Sequence, residues 1–276
     1  MGEVTKEQEP VEGSELWARR ARSFDERAHQ YEAARPSYPE SMVDEVLRFG
    51  NLEAGARAFE VGCGTGKASR LFLARGLRIT AVEPGGPMLE IARAECTGAI
   101  EFHHSALEDW PLAAGSYDLI FAAQSFHWVD QETGYTKVGE TLRRGGTLAL
   151  FWNRPRIVES PMQTRISEVY AERAPDFVDI TSPQGLPEKL EAIEDSIAYR
   201  IESAGLFQTP ERHHFPWSDR LTTEHYIALL ETYSAQATLP SAEREHLLGG
   251  LAEMIDAAGG EIDVHYDAVV HLARRV

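Results

Sequence analysis

The sequence predicts an α/β fold with a mostly parallel sheet flanked by helices. Three observations carry that expectation. Short apolar runs alternate with helical stretches through the first half of the chain, a glycine cluster stands where the first run gives way to a helix, and an acid closes the second run.

The elements follow in order. Between Ser14 and Ala34, apolar residues such as Trp17, Ala21, Phe24, Ala28 and Tyr31 recur at spacings near three and four, which reads as an amphipathic helix ending before Arg35-Pro36. Met42, Val43, Val46 and Leu47 give a second helix over 39–49, with Gly50 as its C-terminal stop. The runs at 58–61, 79–82, 100–102, 119–122 and 148–151 are strands, and 68–74, 88–94 and 135–143 supply the crossover helices that parallel neighbours require. After Trp152, prolines and mixed charge through Pro187 suggest an excursion from the sheet that serves as a lid. A helix over 187–204, a strand over 207–215, two helices within 222–258 and a strand over 264–272 complete a seven-stranded sheet.

Composition narrows the function. The 276 residues carry 27 Lys+Arg against 44 Asp+Glu, a formal net charge of −17, the wrong sign for a general nucleic-acid binder. The two cysteines, Cys63 and Cys96, are too few for a disulfide scaffold and lack zinc-site spacing, so a reducing cytoplasm is the expected setting. The acidic N-terminus lacks the pattern of a signal peptide, and no apolar run is long enough to span a membrane.

The most informative segment is Glu60-Val61-Gly62-Cys63-Gly64-Thr65-Gly66. Glycines at alternate positions remove the β-carbons that would hold a ligand away and permit positive φ, and N–H groups opening the next helix favour an anionic group. A dinucleotide fingerprint beginning at Gly62 would need glycine where Lys67 stands, and a phosphate-binding loop ending at Gly66-Lys67 would need glycine in place of Val61 and a hydroxyl in place of Ala68. Glu83 closes the next strand roughly 20 residues after Gly62, the offset of an acid that accepts hydrogen bonds from a ribose. A nucleoside-containing ligand is implied.

On these motifs, with Ala81-Val82-Glu83-Pro84, 117–128 ending in Phe126-His127-Trp128, and Leu142-Arg143-Arg144-Gly145-Gly146, the sequence resembles the class I S-adenosylmethionine-dependent methyltransferases over about residues 20–155. Phe24-Asp25, Tyr31, Arg35-Pro36 and Tyr38-Pro39 resemble the small-molecule branch that includes the trans-aconitate methyltransferases. The resemblance implies a Rossmann-like domain over 16–276 behind a flexible tail at 1–15. It divides that domain into a cofactor core at about 35–153, under an N-terminal helical cover, and lid and acceptor-pocket elements at about 154–258. Gly62, Gly64 and Gly66 would pack on the methionine half of S-adenosylmethionine, and Glu60 would orient its amino group. Glu83 would hold the ribose, Pro84 and Met88 would flank the adenine, and Ser105, Ala106 and Leu107 would meet its edge. Gln124 would lie beside the methionine moiety, with Tyr31, Arg35 and Tyr38 closing over it. Cys63, inside the loop, reads as a small buried side chain against the cofactor.

Methyl transfer from a sulfonium is an in-line displacement on activated carbon, so the protein must align the nucleophile and exclude water; a base is needed only where the acceptor carries a proton. His127, following the fourth strand, is the candidate base; the alternatives are a substrate hydrogen bond or a structural histidine beside Trp128. Trp128, Trp152 and Arg154 are candidates for the acceptor pocket and Trp217, Tyr226 and Tyr233 for its walls, with ordinary core packing the alternative for each of these aromatics, and Arg154 and Arg156 read either as a clamp for an acidic acceptor or as solvent-facing loop charges. His103-His104 and His213-His214 lack a third ligand, so no metal is expected. The expected activity is methylation of a small molecule, at a hydroxyl or carboxylate oxygen, with S-adenosylhomocysteine as the second product, by a monomer or homodimer. A non-catalytic protein that binds these sulfur nucleosides is the alternative.

Overall fold

The computed structural model describes residues 28–111, 114–177, 186–233 and 235–276. The expected tail and positions 14–27 of the first expected helix lie outside them, as do 178–185 of the expected lid.

The described chain runs α1 (Ala28–Ala34), α2 (Glu40–Gly50), β1 (Arg57–Val61), α3 (Lys67–Leu73), β2 (Arg78–Glu83), α4 (Gly86–Glu95), β3 (Ile100–His104) and β4 (Tyr117–Ala123). It continues through α5 (Gly134–Thr141), β5 (Leu142–Pro155), α6 (Pro161–Arg173), α7 (Leu186–Ser203), β6 (Glu211–Thr222), α8 (Thr223–Glu231), α9 (Ser241–Ala257) and β7 (Glu261–Arg274). One seven-stranded sheet has the order β3-β2-β1-β4-β5-β7-β6. The first five strands are parallel, and β7 runs antiparallel between β5 and β6.

The central strands are apolar on both faces because helices cover both. Ala58, Leu119, Phe121, Ala149 and Phe151 pack toward α2, α3 and α4, while Phe59, Ile120, Ala122, Leu148, Leu150 and Trp152 pack toward α5 and α7. The alternation along each strand fixes register, since a slip of one residue would exchange the two faces. Phe59, Phe121 and Phe151 are fully buried, and truncating any one to alanine costs about 3–5 kcal/mol. A third apolar cluster joins α6, α8 and α9 to the outer part of the sheet through Tyr170, Leu229, Leu251 and Tyr266.

Several expectations are corrected. Gly50 is the last residue of α2, and the left-handed stop is Asn51, φ 49°, whose N–H returns to Arg48 and Leu47. The fifth strand begins at Leu142, where a helix was expected to continue: its pairing with β4 shifts register between Tyr117 and Leu119, and Gly145 takes φ 72°. It also extends to Pro155, so Arg154 lies inside a strand and not in a loop beyond it. The excursion after Trp152 contains α6, begun by Ser160, whose hydroxyl accepts the Gln163 N–H. The sixth strand starts at Glu211; Phe207 makes only an isolated bridge with Arg275. Among the described residues no helix is long and apolar enough to cross a membrane.

Candidate active site

The strand order changes direction between β1 and β4, which opens a crevice at their C-terminal ends, the place where open α/β sheets bind ligands. The glycine loop forms its floor. The N–H groups of Gly62 and Cys63 both reach the carbonyl of Val82, at 2.9 and 3.1 Å, tying the loop to β2. Gly62 has φ 65°, and a β-carbon there would stand 2.7 Å from that of Ser125 on the loop after β4. Only glycine lets the two loops approach so closely. Gly66 serves packing: with φ 83°, its β-carbon would lie 2.5 Å from the Cys96 sulfur, and it is absent from the cleft lining.

The Glu83 carboxylate is held on both oxygens. Gly64 N–H donates to Oε2 and Gly85 N–H to Oε1, each at 2.8 Å. It is thus fixed at the cleft wall, where a carboxylate would meet the two hydroxyls of a ribose. Pro84, Met88, Ala106 and Leu107 add an apolar slot beside it, and Ser105 caps the same turn through its hydroxyl bond to the Ala106 carbonyl. Glu60 lies below the loop and outside the cleft. Its Oε2 accepts the Ser69 hydroxyl, its Oε1 is buried with no partner among the described residues, and burial pushes its carboxyl up to about 8. The cleft has a volume of about 450 Å³ and includes Gly62, Cys63, Gly64, Gln124, Tyr31 and Arg35. A backbone cradle beside a ribose-ready carboxylate and an apolar slot fits an adenosine-bearing cofactor.

A second cavity, about 530 Å³, adjoins the first, and Tyr31, Arg35, Gln124, Trp128, Asn153 and Tyr233 line both. At this neck the Arg35 guanidinium sits 4.2 Å from the Tyr233 ring centre and 5.2 Å from that of Tyr31, and it donates to the Thr232 carbonyl. Gln124 is left-handed at φ 57°, a strain of about 1–3 kcal/mol of the kind concentrated at functional sites. Its N–H bonds the Phe151 carbonyl and its amide the Asn153 carbonyl, which hold it in place. Of the wall candidates, Trp217 braces Asn153 by donating to its Oδ1 and Tyr226 is buried among the helices, the packing alternative for both. Sequence reasoning placed acceptor-pocket elements across 154–258 but named neither Ile193, Ile197 and Arg200 of the α7 wall of the second cavity nor Tyr266 in the first.

His127, Trp152 and Arg154 all face the second cavity. The Trp152 indole N–H donates to His127 Nδ1 at 3.2 Å. His127 is an exposed residue lining this cavity, and desolvation by the protein packed around its ring, with the like charges of Arg154 and Arg35, pushes its pKa down to about 4. Arg154 is buried, not solvent-facing: its Nε bonds Glu194 of α7 at 2.7 Å, and the other oxygen of Glu194 meets His271 of β7 at 2.5 Å. Among the described residues no cluster of side chains could hold a metal ion.

Comparison with known proteins agrees with this geometry. The methyltransferase domain family matches residues 59–150. An uncharacterized methyltransferase of Mycobacterium tuberculosis is 30% identical over 233 residues, 84% of this chain and 85% of the relative. The malonyl-[acyl-carrier protein] O-methyltransferase of Serratia marcescens is 29% identical over 132 residues, 46% of this chain and 50% of the relative. A structure from Anaeromyxobacter dehalogenans assigned to the type II methyltransferases shares the fold with a TM-score of 0.63 at 22% identity, covering 87% of this chain and 97% of the other. With its glycine loop, its Glu83 and its 3-2-1-4-5-7-6 sheet, the chain belongs to the class I S-adenosylmethionine-dependent methyltransferases.

Proposed function

We propose that this enzyme methylates a small-molecule acceptor on oxygen, and that a carboxylate is favoured over a hydroxyl. The observation that carries the reading is the chemistry lining the second cavity. Among its described lining residues there is no aspartate or glutamate, and His127, the remaining base candidate, is neutral with Nδ1 engaged by Trp152. An imidazole whose Nδ1 accepts carries its proton on Nε2, so it presents a donor to the cavity. A hydroxyl nucleophile would find no group to take its proton, whereas a carboxylate arrives as an anion and needs none.

S-adenosylmethionine bound in the first cavity supplies an activated methyl group on a sulfonium. Glu83 would hold its ribose, the glycine loop its methionine half, and Arg35 the carboxylate of that half, with Tyr31 and Tyr233 keeping the guanidinium at the neck. Gln124 would keep the methionine end aligned with the second cavity, while Trp128 and Trp152 exclude water there. The acceptor oxygen bonds to the methyl carbon as the carbon–sulfur bond breaks, its electron pair stays on sulfur, and a methyl ester and a neutral thioether result without proton transfer. That the Serratia relative is named an O-methyltransferase supports oxygen as the acceptor atom.

The test is incubation with methyl-labelled S-adenosylmethionine and a panel of carboxylic acids, phenols, aliphatic alcohols and amines. Labelled product that releases methanol in alkali is the expected result. Label found only in alkali-stable ethers or methylamines would overturn the carboxylate reading.

A further inference from the structure

We propose that Arg154 is the anion anchor of the acceptor cavity and that Glu194, bridging Arg154 to His271, is the positioning residue that aims it. The proposal rests on the second cavity being the acceptor site, and it names the group by which an acceptor is held there.

Arg154 is the penultimate residue of β5 and lines the cavity, its guanidinium carbon 5.0 Å from the Trp152 ring centre. Its bond to Glu194 uses Nε alone. Were the pair only a neutralised charge, both oxygens of Glu194 would be free for the arginine fork; instead Oε2 is taken by His271. Among the described residues no protein acceptor meets either Nη group of Arg154. These atoms form the end-on fork of a planar guanidinium, matched to two oxygens of one carboxylate. The Arg154 side chain keeps 9% of its surface exposed, and the residue lines the cavity.

The surroundings reinforce this. In a chain of net charge −17, the described lining of this cavity holds Arg35, Arg154 and Arg200 and no carboxylate. The Nε2 proton of His127 adds a neutral donor, and Arg200 is turned toward Gln131 at the α7 side of the cavity. Glu194 does not line the cavity and engages the guanidinium at Nε, so its bond leaves the Nη edge to an incoming anion. Its two partners lie on different strands, β5 and β7, and it belongs to α7, which carries Ile193 and Ile197 into the same cavity. One buried carboxylate therefore sets both the angle of the guanidinium and the seating of the facing wall.

The test uses the full chain with phenylacetate and its neutral counterpart phenylacetamide, titrated by calorimetry with and without saturating S-adenosylhomocysteine. Wild type is expected to bind the acid at least tenfold tighter than the amide. Glu194→Gln is expected to lose most of that preference while S-adenosylhomocysteine affinity is unchanged, and Glu194→Asp to restore part of it. Arg154→Met alone would leave Glu194 buried without its charge partner, so the pair is removed together as Arg154→Met with Glu194→Leu, and a cooperative melt verifies folding. This double variant is expected to bind acid and amide alike. Equal binding of acid and amide by wild type, or an unchanged preference in the double variant, would overturn the anchor. An unchanged preference in Glu194→Gln would overturn the positioning role. Failure of S-adenosylhomocysteine to bind wild type would strike the methyl-transfer reading instead, and the titrations without it still decide the anchor.

Discussion

Trp152 donates its indole N–H to Nδ1 of His127 at 3.2 Å, and this contact fixes what the histidine offers to the acceptor cavity. With Nδ1 accepting, the ring proton resides on Nε2, and desolvation of the ring with two nearby arginines pushes the pKa down to about 4 although the residue is exposed. The expected outcome is a neutral Nε2–H tautomer from pH 5.5 to 8, read from nitrogen chemical shifts of labelled protein. The sign for stability follows: the folded pKa is depressed below the ordinary 6.5, so the contribution of His127 is present above that value and is lost as pH falls toward 4. His127→Gln is expected to flatten that part of the acid-stability curve. A ring titrating near 6.5 would restore the base role and weaken the argument for a carboxylate acceptor.

The cofactor side depends on Glu83, whose oxygens each already accept one backbone N–H. Glu83→Ala is expected to weaken S-adenosylmethionine and S-adenosylhomocysteine by about 1.5–3 kcal/mol, roughly 10- to 150-fold, as charged hydrogen bonds to the ribose are lost. Glu83→Gln is no rescue, because its amide nitrogen must face either Gly64 or Gly85 and sets donor against donor. Calorimetry on both variants checks this. Affinity within threefold of wild type in Glu83→Ala would remove the ribose role.

Glu60 makes stability depend on pH in the opposite sense from an ordinary acid. Burial raises its pKa from 4.5 to about 8, against the lowering bond from Ser69 and with further raising by Glu83. The folded state therefore holds a proton that the unfolded state has released, and stability falls as pH rises from about 4.5 through 8. Denaturant unfolding of wild type and Glu60→Gln across this window is expected to show the wild type losing ground to the variant by on the order of 1 kcal/mol per pH unit. Parallel curves would show Glu60 to be charged in the folded state.

Legibility in the sequence follows burial. β1, β2 and β4 announce themselves because both faces are covered and each run is nearly all apolar, whereas β6, an edge strand with mostly exposed or half-buried positions, carries a mixed pattern that blurred its start. The cofactor loop was legible because it is one contiguous phrase and its acid follows at a fixed offset. The acceptor cavity was not: Arg154, Glu194 and His271 meet across sequence separations of 40 and 77 residues, and nothing local distinguishes a buried arginine from a surface one. Tyr266 reaches the cleft from β7, whose place beside β5 is set by the antiparallel return of the chain.

Gly66 separates two reasons for a glycine that its sequence position alone conflates. It has φ 83°, and an added β-carbon would lie 2.5 Å from the Cys96 sulfur, while one added at Gly55, φ 91°, meets nothing within 4 Å among the described residues. Gly55→Ala should therefore cost only the left-handed penalty of about 1–2 kcal/mol. Gly66→Ala should cost more, because Cys96 is buried and its sulfur cannot swing clear without disturbing the contact with the Gly66 carbonyl. Adding Cys96→Ala to Gly66→Ala is expected to recover the excess over Gly55→Ala and no more, since the backbone strain remains. Because Gly66 faces α4 and not the cleft, S-adenosylhomocysteine affinity in the double variant should stay within a few fold of wild type. Thermal melts and calorimetry on the three variants read both quantities. A Gly66→Ala protein as stable as Gly55→Ala would mean that the loop and α4 are less tightly packed than the 2.5 Å approach requires.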